Sequence, residues 1–159
     1  KGQGLVLEMK VRENISLANL YQLTYMGIIN QKQERFEVRK YIDTLQIKTP
    51  STEQLIKNLS GGTQQKVVLA KWLFTNCRLL ILDEPTRGID IGAKIEIYHL
   101  INTLVAQGIG IIMISSELPE IIGMCDRILV MNRGRLAVEL SGDEATQEQI
   151  IYYAAGGRD

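Results

Sequence analysis

The most informative segment of this 159-residue chain reads Leu79-Leu80-Ile81-Leu82-Asp83-Glu84-Pro85-Thr86. It begins with an unbroken apolar run, which two acids close. Such a run is typical of a parallel strand that is buried on both faces. Ile109 to Ser115 repeats the pattern and predicts a second buried strand. Because a helix is predicted between the two strands, we expect a parallel sheet covered by helices on both faces, and the fold class is α/β.

The connecting helix is predicted over 91–107, where apolar residues recur at helical spacing and Gly108 is expected to end the helix. The residues assigned to its apolar face are Ile91, Ile95, Tyr98, Ile101 and Val105. His99, the single histidine, lies within the same pattern. We expect it to be an exposed or partly packed helix residue, away from the carboxyl edge of the sheet.

The first part of the chain is more polar and less regular. Helices are predicted near 14–22 and 33–45, with Asn14 or Ser16 as the N-cap of the first. A short helix is predicted at 52–57, after a turn. We place a domain division after residue 58, with residues 1–58 on one side and residues 59–159 on the other.

The C-terminal part is predicted to continue with a helix, a hairpin and a last helix. The helix begins at Ser116 and carries Pro119 in its first turn, where proline is tolerated. The two hairpin strands are predicted at 128–131 and 136–140. The last helix covers 146–154.

Composition excludes several classes of protein. The 18 Lys and Arg residues balance 18 Asp and Glu residues, so the net charge is zero. This balance argues against a nucleic-acid binder driven by bulk phosphate attraction and against a polybasic membrane anchor, although a local patch stays open. Cys77 and Cys125 are isolated, which argues against a disulfide framework or a zinc site and favours a reducing compartment. No apolar run approaches the roughly 20 residues of a membrane-spanning helix.

A candidate phosphate site lies in Leu59-Ser60-Gly61-Gly62-Thr63-Gln64-Gln65-Lys66, which is predicted to open a helix. Gly61 and Gly62 leave backbone amides uncovered, and Ser60 offers a hydroxyl at the N-cap. A helix start adds unpaired N–H groups and partial positive charge, which together favour a phosphate. The alternative for this segment by itself is a serine-capped helix after a glycine turn.

The second candidate site is the acid pair that ends the first predicted strand. In open α/β sheets, ligands bind at the carboxyl ends of the strands. Asp83 is placed to hold Mg²⁺ on a nucleotide, directly or through water. Glu84 is placed to polarise a water that attacks the γ-phosphate. An acid pair after a strand is otherwise a cap or part of a solvated loop.

Together these segments resemble those of the ATP-binding-cassette (ABC) ATPases. Leu59–Gln65 is similar to their signature motif, Leu79–Glu84 to their Walker B motif and Gly88–Asp90 to their D-loop. The resemblance covers nearly the whole chain. Two longer segments, 83–94 and 115–128, resemble the C-terminal cassette of the tandem ATPase subunits of bacterial monosaccharide importers for ribose, xylose or galactose. The resemblance implies a P-loop-NTPase-like cassette, with helical and signature-side residues in 1–58 and catalytic-core residues in 59–159.

Two departures from the family pattern bear on activity. The phosphate loop Gly-x-x-x-x-Gly-Lys-Ser/Thr of the Walker A motif is absent, since the nearest string, Gly88–Ile95, has the wrong glycine spacing. The family's Walker A motif and Q-loop are expected upstream of Lys1, and this segment by itself is expected to be inactive. Ser116 stands where the family has its switch histidine. A shorter, uncharged side chain there implies a weaker ATP site on this cassette's own face.

The resemblance also implies the cofactors, ATP and Mg²⁺, and the roles of the site residues. The implied nucleotide-binding residues are Ser60, Gly61, Gly62, Gln64 and Asp90, the implied catalytic residues are Glu84 and Ser116, and the implied metal ligand is Asp83. Asp90 has a second reading as the N-cap of the helix that follows it. The signature motif is expected to complete the ATP site of a partner cassette, which is the N-terminal cassette of the same subunit or a second ATPase subunit.

Further implied partners are a membrane permease dimer and, indirectly, a periplasmic or extracellular sugar-binding protein, with no nucleic acid. The implied location is the cytoplasmic face of the bacterial membrane, as a peripheral subunit. Two alternatives stay open. One is an ABC ATPase of DNA repair or translation, and the other is a non-catalytic interaction fragment. The residues do not reveal which sugar is carried.

Overall fold

A computed structural model describes residues 4–157 of the chain. The start of the sequence at Lys1, which we expect to lie inside a longer chain, is outside these residues. The elements are α1 (Val11–Ser16), a 3₁₀ helix (Leu17–Leu23), β1 (Thr24–Tyr25), β2 (Ile28–Ile29), α2 (Gln31–Thr44), a 3₁₀ turn (Ile56–Asn58), α3 (Gly61–Leu73), β3 (Leu79–Asp83), α4 (Ile91–Ala106), β4 (Gly110–Ile114), α5 (Leu118–Met124), β5 (Arg127–Asn132), β6 (Arg135–Ser141) and α6 (Gln147–Ala154).

The chain forms two compact units. The first contains residues 4–80 and 86–111, and the second contains residues 81–85 and 112–157. Within residues 4–157, no helix combines the length and the apolar composition that crossing a membrane requires.

In the first unit, α3 packs against α1, α2 and α4. Fully buried side chains from three of these helices meet in the core, including Ile15 of α1, Val38 of α2 and Leu69 of α3. A buried ion pair, Arg12–Glu34, also joins α1 to α2. Helix α3 is therefore the central helix of this unit.

The predicted N-cap of the first helix is wrong. The helix begins at Val11, after Lys10, and both Asn14 and Ser16 lie inside it. Their polar groups are buried and make tertiary contacts instead, since the Asn14 side chain bonds both backbone groups of Val6 and Ser16 Oγ donates to Glu34. A serine or asparagine can occupy a helix interior when its side chain has such partners.

The other helix predictions of this unit are close in position. The second helix covers Gln31–Thr44 and is capped by Asn30, whose side chain accepts the Gln33 N–H at 3.1 Å. The predicted short helix at 52–57 is instead a three-residue 3₁₀ turn at Ile56–Asn58.

The predicted apolar face of α4 is right at Ile101 and wrong at three other positions. Ile101 is buried together with Ile97 and Leu104, whereas Ile91 is 78% exposed. Ile95 and Val105 are exposed as well. Because nearly every position on this helix is apolar, spacing by itself does not select the face that packs.

Strands β3 and β4 pair with each other. Gly110 N–H donates to the Arg78 carbonyl where both strands begin, and Glu84 N–H donates to the Ile114 carbonyl where both strands end, so the strands are parallel. The expectation of burial on both faces is not met. Leu80 and Leu82 are buried while Leu79 and Ile81 are exposed, because one face of this two-stranded sheet is packed in the described part of the chain.

The second unit contains the predicted hairpin, which is confirmed. Strands β5 and β6 are antiparallel, and Asn132 pairs with Arg135 across a two-residue turn. The turn residues Arg133 and Gly134 both have positive φ, as a type I′ turn requires. The core beneath the hairpin comprises Ile128, Val130, Ala145 and Ile150. Helix α6 packs against both hairpin strands and begins after Thr146, close to the prediction.

Candidate functional site

The start of α3 is an exposed helix tip with free backbone donors. Ser60 is the N-cap, and its hydroxyl accepts the Thr63 N–H at 3.4 Å and hydrogen-bonds the Thr63 hydroxyl at 2.9 Å. Ser60 and Gly61 are exposed. The N–H groups of Gly61 and Gly62 have no hydrogen-bond partner among residues 4–157. Two unpaired N–H groups and a hydroxyl at a helix start favour an anionic oxygen.

Gln64, one of the predicted nucleotide-binding residues, bonds to the segment that precedes this tip. Its side-chain amide donates to the carbonyl oxygens of Ile56 and Leu59, at 3.2 and 3.0 Å. These bonds hold the segment that leads into the N-cap. The described contacts of Gln64 are thus with the protein's own backbone.

The predicted D-loop lies beside the tip of α3, within the same unit. Asp90 is the N-cap of α4, and its carboxylate accepts the Ala93 N–H at 2.9 Å. A Cβ added to Gly61 would lie 3.6 Å from Ile89, an ordinary contact. A Cβ added to Gly62 would lie only 2.6 Å from the Cβ of Ala93. Glycine at position 62 is therefore required by the close approach of the two helices.

The predicted acid pair lies in the second unit, where β3 ends. Asp83 is the last residue of the strand and is exposed. Glu84 follows with φ +49°, a left-handed conformation that costs about 1–3 kcal/mol for a residue other than glycine. Two hydrogen bonds oppose this strain. Glu84 N–H donates to the Ile114 carbonyl at 2.8 Å, and Glu84 Oε1 accepts the Ser116 N–H at 3.0 Å.

Ser116 therefore contacts Glu84 through its backbone rather than through its side chain. The predicted helix start at Ser116 is slightly early, since α5 begins at Leu118 with Glu117 as the N-cap. The preceding residue, Ser115, organises this turn. Its hydroxyl accepts the Glu117 N–H at 3.0 Å and also hydrogen-bonds the buried carboxylate of Glu120.

Comparison with known proteins identifies the family. The ABC transporter family profile matches residues 2–87, more than half of the chain. The chain belongs to the ABC transporter family.

Similar proteins include import ATP-binding proteins for xylose and ribose. The chain is 57% identical over 156 residues to a xylose import ATP-binding protein of Moorella thermoacetica, a match that covers 98% of this chain and 31% of that protein. It is 55% identical over 157 residues to a ribose import ATP-binding protein of Oceanobacillus iheyensis, which covers 99% of this chain and 32% of that protein. The chain thus spans about a third of the length of these relatives.

Solved structures agree on the fold. A nucleotide-free ATP-binding cassette from an ABC transporter matches 86% of this chain and 57% of its own, with a TM-score of 0.74 and 26% identity. An inward-facing ABC transporter of the metal-chelate type matches 93% of this chain and 58% of its own, with a TM-score of 0.80 and 15% identity. The α/β cassette fold predicted from the sequence is confirmed.

Asp83 is the candidate residue for holding the Mg²⁺ ion that accompanies ATP in this family. No group of three or more His, Cys, Asp or Glu side chains in residues 4–157 is arranged to hold a metal by itself. Nucleotide-bound Mg²⁺ needs only one or two carboxylates, because phosphate oxygens and waters complete its shell. The exposed carboxylate of Asp83 at the strand end fits that requirement.

The single histidine lies apart from these groups in the sequence pattern. His99 is exposed on α4, as expected.

Sequence reasoning missed two sets of supporting residues. Ser115 and Glu120 gave no signal beyond a serine and an acid near a helix start. Lys66 lies buried against α4, where its ammonium group pairs with Glu96 at 2.9 Å. The sequence signal for the burial of Lys66 was its position one helical turn after Gly62, on a side of the helix that also carries apolar residues.

Proposed function

We propose that this chain is part of the ATP-binding subunit of a bacterial ABC importer for monosaccharides, which couples ATP binding and hydrolysis to sugar uptake. Identities above 50% to xylose and ribose import ATP-binding proteins, over nearly the whole chain, support this assignment. Because the chain spans about a third of those relatives, the activity belongs to the complete subunit.

The main contribution of this segment is to complete an ATP site whose Walker A motif belongs to a partner cassette. The observation that carries this proposal is the exposed tip of α3, where the Gly61 and Gly62 N–H groups are unpaired. The Ser60 hydroxyl lies beside them. These donors match the oxygens of a terminal phosphate, and the helix start adds favourable electrostatics. Dimeric ATP-binding cassettes are among the structural neighbours, which supports an assembly of this kind.

Asp83, Glu84 and Ser116 serve the cassette's own ATP site. Asp83 would hold Mg²⁺, which neutralises phosphate charge when it is bound. Glu84 orients the attacking water and is itself held by the Ser116 N–H. Any residue at position 116 other than proline can supply that backbone donor. The serine side chain carries no positive charge for the γ-phosphate, so we propose that this site is the weaker of the two.

The proposed partners are the other cassette, a permease pair in the membrane and, through the permease, a sugar-binding protein. Closure of the two cassettes on ATP is passed to the permease pair, which moves the sugar inward. The subunit accordingly works at the cytoplasmic face of the membrane.

The test is a bulky substitution at the tip in the complete subunit, assembled with its permease. Gly61→Gln is preferable to a change at Gly62, because space at Gly61 accepts a Cβ and the fold is preserved. Ser60→Trp is a second variant. Gly123→Gln is the matched control, because Gly123 lies in helix α5 and a Cβ there meets nothing within 4 Å. We expect both tip variants to lose ATP turnover and the control to retain it, and unchanged turnover in the tip variants would contradict the proposal.

A further inference from the structure

Two contacts fasten the signature helix α3 to helix α4. At the tip, Gly62 and Ala93 are so close that a Cβ on Gly62 would lie 2.6 Å from that of Ala93. One turn further along each helix, Lys66 Nζ lies 2.9 Å from Glu96 Oε2. These four residues form the α3–α4 contact. It links the tip that carries Ser60 to the helix that Asp90 caps.

Lys66 is an unusual residue at this position because its side chain is only 8% exposed. A buried ammonium group is unfavourable unless it is paired and hydrogen-bonded. Besides Glu96, Lys66 Nζ donates to the backbone carbonyl of Gln46 at 3.3 Å. Gln46 follows the end of α2 and has φ +50°. One lysine therefore ties α3 both to α4 and to the end of α2.

Glu96 has a second cationic partner, which offers an internal comparison. Lys48 Nζ lies 3.0 Å from Glu96 Oε1, but the Lys48 side chain is 75% exposed. Hydrogen bonds from Lys66 and then from Lys48 lower the pKa of Glu96 below its ordinary value, so the carboxylate is charged at neutral pH. Exposed ion pairs contribute little, because water screens them. Lys66 is thus the less exposed, and so the less screened, of the two cations that pair with Glu96.

We propose that Lys66 is a positioning residue, which through Glu96 holds the signature tip and the D-loop together as one body. This inference rests on the proposed function, in which the tip meets a terminal phosphate on a partner cassette. Contacts of this kind are sensitive to placement, and a shift of about 1 Å can lower a rate by about a hundredfold. Loss of the Lys66 charge would let the tip move relative to α4 without removing any group that touches ATP.

The experiment measures kcat and KM for ATP in the complete subunit assembled with its permease. Lys66→Met keeps the length of the side chain and removes its charge, Lys66→Arg keeps the charge, and Lys48→Met removes the exposed partner of the same carboxylate. We expect Lys66→Met to lower kcat by about tenfold or more while KM for ATP stays within about twofold, because ATP is held chiefly by the partner's Walker A motif. Lys66→Arg should restore most of kcat, and Lys48→Met should leave it unchanged.

A stability control separates positioning from simple destabilisation. Val38→Ala opens a cavity in the core at α2 and changes none of the four residues of the α3–α4 contact. If Val38→Ala loses the same thermal stability as Lys66→Met and loses kcat equally, the positioning role is wrong. If Gly61→Gln abolishes turnover while Lys66→Met does not, the positioning role is wrong and the proposed function stands. If neither variant changes turnover, both proposals are wrong.

Discussion

Replacing Gly62 by alanine tests the close approach of α3 and α4 directly. The new Cβ would lie 2.6 Å from the Cβ of Ala93, whereas an ordinary carbon–carbon contact is about 3.5–4.0 Å. The two helices would have to separate by about 1 Å, and overpacking of this kind costs about 1–3 kcal/mol. Gly61→Ala is the matched control, because its Cβ would lie 3.6 Å from Ile89, in ordinary contact.

Both variants gain the same helix propensity from alanine, so the comparison between them isolates the steric effect. We expect Gly62→Ala to be less stable than Gly61→Ala by about 1–3 kcal/mol and therefore to have the lower thermal midpoint. Thermal denaturation of the complete subunit, carried out in parallel on the two variants, measures that difference. Equal midpoints, or a higher midpoint for Gly62→Ala, would refute the reasoning.

Three further predictions concern the buried Arg12–Glu34 ion pair, the carboxylate of Glu53 and the proposed weaker ATP site. Arg12→Met leaves the Glu34 carboxylate buried and hydrogen-bonded to the Ser16 hydroxyl but without its cation, and should destabilise the protein by about 3–5 kcal/mol in denaturation experiments; an unchanged midpoint would contradict this. The pKa of Glu53 is lowered to about 2 from 4.5, first by a hydrogen bond from Lys10, so its stabilisation is present above pH 4.5 and is lost as the pH falls towards 2. The difference in thermal midpoint between wild type and Glu53→Gln should therefore be full at neutral pH and shrink through that window, and a difference that is constant with pH would be the contrary result. Glu84→Gln should reduce ATP turnover less than the same change at the matching residue of the other cassette, and an equal or larger loss would count against an asymmetric pair of sites.

Local signals predicted much of the fold. The hairpin followed from Asn132-Arg133-Gly134 between two apolar runs, because this turn chemistry specifies a tight connection. The start of α3 followed from Ser60 before two glycines, and Asp90 caps α4 as expected. In each case the deciding interaction lies within a few residues along the chain.

Tertiary contacts explain the predictions that failed. Asn14 and Ser16 were predicted as caps, but their partners Val6 and Glu34 lie 8 and 18 residues away and draw both side chains into the interior. The buried face of α4 depends on the helix that packs against it. Burial of β3 depends on the layers next to the sheet, which a strand's own apolar residues do not reveal.

In the candidate site, too, local motifs were predictable from the sequence and tertiary contacts were not. Its reactive groups, Asp83, Glu84 and the glycines of the tip, were recognised from short motifs. The groups that hold them were not, because the Ser116 N–H reaches Glu84 across 32 residues of chain. Pairing of Lys66 with Glu96 spans 30 residues and likewise has no short motif.

The account depends most on where the tip of α3 lies when ATP is bound. A structure of the complete importer with a non-hydrolysable ATP analogue measures this directly. We expect Ser60 Oγ and the N–H groups of Gly61 and Gly62 to lie about 2.7–3.2 Å from oxygens of a γ-phosphate whose nucleotide is held by the other cassette. A tip that faces away from both nucleotides would contradict the central claim.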